Sequence, residues 1–249
     1  MFESVIKVPY VTGPSMEKYE GPLVSKTLSK TKILQKIREI KELGKKLYFQ
    51  SSICRDERLV QKTSNKLGLP GCETILELGL MMDEEIAIIH RGRLEALFFA
   101  FPSSWNPGNK EGATLLELHG PVAEGERLRE ASDGLSKAIC GKYSFRRFVW
   151  SIAPTGRLSR HPDYSDPIPQ SIDDLWLRVE TQYTTPIVYN ETAAFIIDLQ
   201  VIKLTDVFKE ENDKKLIIES INSMSAKVLE YKNLNKIKNI INDTEGAVL

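Results

Sequence analysis

The stretch LWLRVETQ, residues 175–182, alternates apolar and polar side chains, and that period of two commits it to a β-strand. In a strand, Trp176, Arg178, Glu180 and Gln182 line one face, and Leu175, Leu177 and Val179 line the other. AAFIIDLQVIKL (193–204) reads as a second long strand. RFVWSIA (147–153) is a third, stopped by Pro154, which lacks the N–H a ladder needs. The β-branched run Ile86–Ile89, followed by Arg-Gly-Arg at 91–93 and then LEALFFAF, reads as a hairpin.

On either side the period changes. Residues 31–48 read as an amphipathic helix with Ile33, Leu34, Ile37, Ile40 and Leu47 near one face, capped by Ser29 or Thr31. Further helices are expected at 55–67, ending near Gly68 and Pro70, and at 123–140. Over 209–242, Leu216, Ile217, Ile221, Met224, Val228, Ile237 and Ile241 make an apolar stripe that Asn233 and Asn235 divide into two helices. Helices, then about five strands, then helices predict an α+β fold with a mainly antiparallel sheet. The expected organisation is one domain over 1–249: a helical part to about residue 80, a sheet core over about 81–205, and C-terminal helices over about 206–243.

Composition narrows the function. The chain has 249 residues, 41% of them apolar, enough for a sizeable core. Lys and Arg balance Asp and Glu at 34 each, and the pI is near 6.9. Phosphate binding needs a cationic surplus, so a broad nucleic-acid footprint is not expected. Cys54, Cys72 and Cys140 are widely spaced without a CxxC, which argues against a cysteine-held zinc or iron–sulfur cluster and for reduced thiols. MFESVIKVPY is not a signal peptide, and nothing approaches the roughly 18 apolar residues of a membrane span. A soluble cytoplasmic protein is expected. GxGxxG, GxxxxGK[ST], GxSxG, HExxH and CxxCH are all absent from the sequence.

Three groups of residues could carry chemistry. Arg178 and Glu180 can hold each other or a polar ligand group; the plain alternative is a solvent-exposed sheet face. His119 follows Leu115, Leu116 and Leu118, which suggests partial burial, and Gly120 and Pro121 suggest a turn after it. It reads as a packed core residue, a base, or the axial ligand of a haem iron. His90, beside the hairpin turn, is expected to be exposed, and His161 lies in the polar loop RLSRHPDYSDP. Asp83, Glu84 and Glu85 are a solvated strand entry or, if one is buried, the holder of an ammonium group. Trp105, Trp150 and Phe145 are core, a cation-binding wall or a haem lining.

Five segments in order resemble one family, the haem-dependent oxidative N-demethylases. MMDEEIAII resembles its strand with a Gln-Glu-Asp triplet, Glu84 matching the Glu, and FAFPSSW its Phe-Pro-Ser-x-Trp segment. LLELHGPV resembles Ile-His-x-Pro-Val, matching at His119, Pro121 and Val122; RRFVWSIA resembles the segment with Trp before a short strand. LRVETQ resembles Arg-Val-Glu-Arg-Gln, matching at Arg178, Val179, Glu180 and Gln182. PYVTGPSMEKYEGPL weakly resembles the entry segment, and the whole spans roughly 8–205. The resemblance departs at Thr181, where the family has Arg, at Tyr-Thr-Thr-Pro (183–186), where it has basic residues, and at Ala-Glu-Gly (123–125), where it has Pro-Gly-Tyr.

The resemblance implies haem b in a PAS-like antiparallel sheet with flanking helices. It implies O2 activation and oxidation of a small amine or N-methyl compound, with electrons passed through flavin and iron–sulfur groups of a partner reductase. His119 then ligates the iron, with Trp105, Pro121, Val122, Trp150 and Gln182 around the haem. Glu84 faces the amine, and Arg178 and Glu180 form a buried polar pair near a propionate. A homo-oligomer is compatible with this. So are two other functions: a haem or small-molecule sensor, and a non-catalytic subunit that has lost haem.

Overall fold

The computed structural model describes residues 2–246. Seven strands form one open antiparallel sheet: β1 (Glu17–Lys18), β2 (Tyr48–Gln50), β3 (Glu85–His90), β4 (Arg93–Phe98), β5 (Phe145–Ala153), β6 (Trp176–Val188) and β7 (Thr192–Lys203). Their order is β1-β5-β6-β7-β3-β4-β2, so the five longer strands lie inside and β1 and β2 form the edges. The expected α+β class is present, but the sheet has seven strands rather than about five. Two- and three-residue strands are too short to show a period, and the edge pairs Glu17↔Arg146 and Phe49↔Leu97 exist only as long-range pairing.

The β3–β4 hairpin turns at Arg91 and Gly92, both at positive φ (48° and 78°), as a tight turn matching strand twist requires. Eleven α-helices are described. α1 (Lys30–Leu43) is capped by Ser29, whose hydroxyl accepts from the Lys32 N–H, and ends at Gly44, φ 54°. The helix expected over 31–48 is therefore shorter: Gly44–Lys46 form a 3-10 turn, and Tyr48 already belongs to β2. Its inward side is also different: Lys36, Glu39 and Leu43 are buried, and Leu34 is 65% exposed. The helix expected at 55–67 is two, α2 (Ser52–Asp56) and α3 (Leu59–Lys66), separated at Arg58 with φ 52°. α4 (Ile75–Leu80) and α5 (Leu115–His119) each begin with a capping box, Thr74/Glu77 and Thr114/Glu117. The 123–140 helix is split into α6 (Glu126–Glu130) and α7 (Ser132–Ile139). After α8 (Leu204–Val207) come α9 (Glu211–Asn222), α10 (Ala226–Tyr231) and α11 (Asn235–Gly246). The expected break at Asn233 is there, in the left-handed conformation; a further break at 223–225 is not signalled by periodicity. No helix among the described residues is long and apolar enough to cross a membrane.

The sheet buries its two faces differently. On one, Trp150, Ile152, Leu177 and Val179 join Ile217, Ile221, Val228 and Ile237 of the C-terminal helices in a core. Further along that face, Ile86, Ile88, Phe98 and Ile196 pack on Leu59, Ile75 and Leu78 of α3 and α4. Each such apolar side chain contributes about 1.5–3 kcal/mol of burial. The opposite face carries Arg178, Glu180 and Gln182, and its apolar end (Ala87, Leu97, Ile197) packs under Ile139, Cys140 and Trp105. α5 contributes no buried residue and α6 only Leu128, so the cover over this face is thin.

Candidate functional site

The polar face of β6 is not solvated. Arg178 is 1% exposed. Its Nη1 donates to the Arg157 carbonyl (3.0 Å), and its Nη2 to the Leu158 carbonyl (2.9 Å) and to Ser103 Oγ (3.2 Å). Segment 154–160, leaving β5, therefore lies across Arg178 and lends it carbonyls. Ser103 Oγ in turn donates to Glu180 Oε1 at 2.8 Å. Glu180 Oε2 accepts from Gln182 Nε2 at 2.8 Å, and Gln182 Oε1 accepts from Arg147 Nε at 2.7 Å. Arg147 and Gln182 are direct partners across β5 and β6. The result is a continuous relay, Arg178–Ser103–Glu180–Gln182–Arg147, with a guanidinium at each end and one carboxylate in the middle.

Burial and that carboxylate set the charges. Desolvation lowers Arg178 to about 10 and also lowers Arg147, and Glu180 opposes both shifts. Lys232, after α10, donates from Nζ to the Trp150 carbonyl at 2.8 Å and lies over the rings of Tyr10 and Trp150 at 5.2 and 5.9 Å. Desolvation depresses it to about 8, again against Glu180. Burial raises the Tyr231 hydroxyl, and Glu180 adds to that. The charge of Glu180 thus bears on two arginines, a lysine and a tyrosine.

His119 is the last residue of α5. Its Nδ1 is buried with no hydrogen-bond partner among the described residues. Burial and then the charge of Arg147 push its pKa down to about 4, while the Leu115 carbonyl opposes weakly. The ring is therefore a neutral imidazole at pH 7, the form that ligates metals. The chain turns after it as expected: the Val122 N–H returns to the His119 carbonyl at 3.1 Å, and Pro121 is exposed. Trp105 is half-buried on the same side as α5, edge-on to Phe99 at 5.5 Å and packed with Leu115 and Leu118.

The structure thus gathers His119, Glu180, Gln182, Arg178 and Trp105 on one side of the sheet. It sets two other expected residues apart. Trp150 is buried in the C-terminal core, edge-on to Tyr10 at 6.3 Å. Glu84 holds the N-terminal segment, its Oε1 accepting from the Ser25 N–H (2.8 Å) and hydroxyl (2.6 Å). Asp83, Glu84 and Glu85 are all buried, so they are not a solvated strand entry. What sits among them is the chain's own lysine. Lys36 Nζ donates to the carbonyls of Gly79, Met82 and Glu84 and lies 3.7 Å from Glu85 Oε1. His90 is 2% exposed rather than solvated, because β7 and Glu57 cover the end of the hairpin. His161 is buried within its loop and accepts at Nδ1 from the Asp163 N–H.

Arg147, Ser103 and Lys232 were not singled out from the sequence. Arg147 is recoverable only through strand register, since it sits opposite Gln182. Ser103 lies inside the FPSSW segment already noted; Lys232 carries no local signal. Two surface clefts lie elsewhere. One is lined by Lys45, Tyr48, Gln50, Arg55 and Thr74–Leu76, the other by α1 with Phe101, Arg157 and Leu158, and neither touches His119 or Glu180.

The chain is thus an α+β protein with an open antiparallel sheet, one face of which carries a buried arginine–carboxylate relay beneath the neutral histidine of α5. The chain belongs to the haem-dependent oxidative N-demethylase, alpha subunit-like family, whose model matches residues 46–242. The match begins after α1 and continues through the C-terminal helices, so Lys232 lies within it and the entry segment before residue 46 does not. No curated protein matches the chain.

Proposed function

We propose that this chain is a haem-binding, oxygenase-type subunit. In this reading it oxidises a small amine or N-methyl compound with O2 and takes its electrons from a separate flavin and iron–sulfur reductase in the cytoplasm. The single observation that carries the reading is His119: a neutral imidazole with an unpartnered buried nitrogen, over the sheet face that holds Arg147 and Glu180. The strand order supports a PAS-like, single-domain reading. Counted in chain order, the five longer strands lie as 3-4-5-1-2, the PAS arrangement read from one edge.

The residues present fit a haem. His119 would hold the iron through its unpartnered imidazole nitrogen, and Arg147, whose charge reaches His119, would offer a cation to the group's carboxylates. Arg147, cross-strand partner of Gln182, supplies a cation on the polar face of β6, whereas Thr181 lies on the other face. When bound, haem supplies O2 activation and oxidation of the carbon next to nitrogen. The chain's own residues bind, orient and move protons. Gln182 fixes Arg147; Glu180 gives a fixed negative charge to an incoming ammonium; Lys232 Nζ, near its pKa at neutral pH, can take or release a proton. Trp105, Leu115 and Leu118 keep water from that side.

A second reading, a non-catalytic subunit without haem, is favoured by Glu84, whose Oε1 is engaged by Ser25, although its Oε2 is buried without a hydrogen-bond partner among the described residues. One experiment separates the two. The protein is produced with added haem precursor, and its absorption spectrum is recorded oxidised and reduced. A Soret band that shifts on reduction and is lost in His119→Ala supports the haem reading. No Soret band after haem reconstitution sinks it. Turnover of an amine panel with dithionite and O2 then tests the oxygenase step.

A further inference from the structure

Away from that face, at the turn end of the β3–β4 hairpin, three segments bring together a histidine and two carboxylates. We propose that Glu57, His90 and Glu191 form a binding site for one divalent transition-metal ion, with Zn2+ the best-fitting occupant. Glu57 follows α2, His90 ends β3, and Glu191 immediately precedes β7. One ligand atom from each lies within 4.8 Å of the other two.

The histidine is the observation that points to a ligand. It is 2% exposed, and its Nε2 is buried without a hydrogen bond. Its Nδ1 lies 2.8 Å from the hydroxyl of Thr192, its cross-strand partner. That contact fixes the ring and turns Nε2 toward Glu57, whose Oε1 is 3.5 Å away. A buried imidazole oriented by an outer partner at one nitrogen, with the other nitrogen open, is how metal-ligating histidines are prepared.

The spacing suits a small ion. Two donors, each about 2.0–2.1 Å from a tetrahedral Zn2+, stand about 3.4 Å apart. The His90–Glu57 pair is at that separation already. Glu191, 46% exposed, needs only a side-chain shift to complete the set. One imidazole with two carboxylates suits Zn2+ rather than Ca2+ or Mg2+, which prefer all-oxygen shells. Two carboxylates also neutralise the ion's charge.

Arg91 now does part of the ion's work. Its guanidinium lies 3.6 Å from Glu57 and 3.4 Å from Glu191, and its side chain is 64% exposed. It holds the two acids together and can swing into solvent when an ion replaces it. Arg91 is thus a competitor, and removing it should strengthen binding.

The test uses the full chain stripped with EDTA and titrated with ZnCl2, followed by calorimetry. One equivalent is expected to bind. Glu57→Gln and Glu191→Gln should each weaken it at least tenfold, and Arg91→Ala should tighten it, all with haem content unchanged. Glu191 is exposed and Glu57 half-buried, so these variants test the site even if His90→Gln fails to fold. Absence of stoichiometric binding, or wild-type affinity in both glutamine variants, overturns the proposal. A failed haem spectrum leaves it standing, since the two sites share no residue.

Discussion

Arg178 and Glu180, neighbours on one face of β6, are joined through a third residue: the Ser103 hydroxyl accepts from Arg178 Nη2 at 3.2 Å and donates to Glu180 Oε1 at 2.8 Å. Two of the family-like segments, FPSSW and LRVETQ, meet at this one oxygen. Replacing it with Ala leaves a buried guanidinium N–H and a carboxylate oxygen each short of a partner. Ser103→Ala should therefore cost about 1–3 kcal/mol of stability, read by urea denaturation. A loss below a few tenths of a kcal/mol would show that water replaces the hydroxyl freely and that the relay is wet.

Lys232 titrates near 8 because burial outweighs the charge of Glu180. Glu180→Gln removes the one group that holds the value up. The Lys232 pKa should then fall further below 8, which an NMR titration of the lysine side chain can follow. For wild type, the linkage follows from a folded pKa near 8 against an ordinary lysine value near 10.4. Between them the unfolded chain binds the extra proton, so this group makes stability rise with pH over that window. An unchanged or higher Lys232 pKa in Glu180→Gln would show that the two do not interact.

Much of this arrangement is legible in the sequence, and the illegible part has a common cause. The period of two in LWLRVETQ places Arg178 and Glu180 on one face, as found. It cannot say that the face is buried, because the cover comes from Ser103 and from 154–160, distant in sequence. Leu115, Leu116 and Leu118 did signal the half-burial of His119. The link between Arg147 and Gln182 is a fact of register, and no local pattern encodes it. β1 and β2 escaped for the same reason: their pairing partners lie far along the chain.

Lys36 shows how helix periodicity misled. It is fully buried in α1, although the expected inward stripe was Ile33, Leu34, Ile37, Ile40 and Leu47, because three carbonyls near the α4–β3 junction receive its Nζ. Burial lowers its pKa and raises that of Glu85, each group opposing the other's shift. Lys36→Met leaves Glu85 and the carbonyls uncompensated and should cost about 3–5 kcal/mol. Adding Glu85→Gln should recover part of that loss, giving a coupling of about 1–3 kcal/mol in a double-mutant cycle. Strict additivity would mean that Lys36 acts only on the carbonyls.

His119 makes the most specific prediction, since its neutrality underlies the haem reading and can be measured without haem. In the folded chain its pKa is near 4, and in an unfolded chain a histidine takes its proton near 6.5. Above about pH 6.5 both states are neutral there and the group contributes nothing to the pH dependence. As pH falls from 6.5 toward 4, the unfolded state binds a proton that the folded state refuses, so stability falls. The loss is on the order of 2 kcal/mol once partial exposure is allowed for. Carboxylates destabilise the fold in acid as well, but they do so equally in His119→Gln. The difference in unfolding free energy between wild type and His119→Gln should therefore change by about that amount between pH 7 and pH 4.5, with wild type losing more. Parallel curves would mean that the ring protonates as readily folded as unfolded, and the dry, cation-flanked setting assigned to His119 would have to be given up.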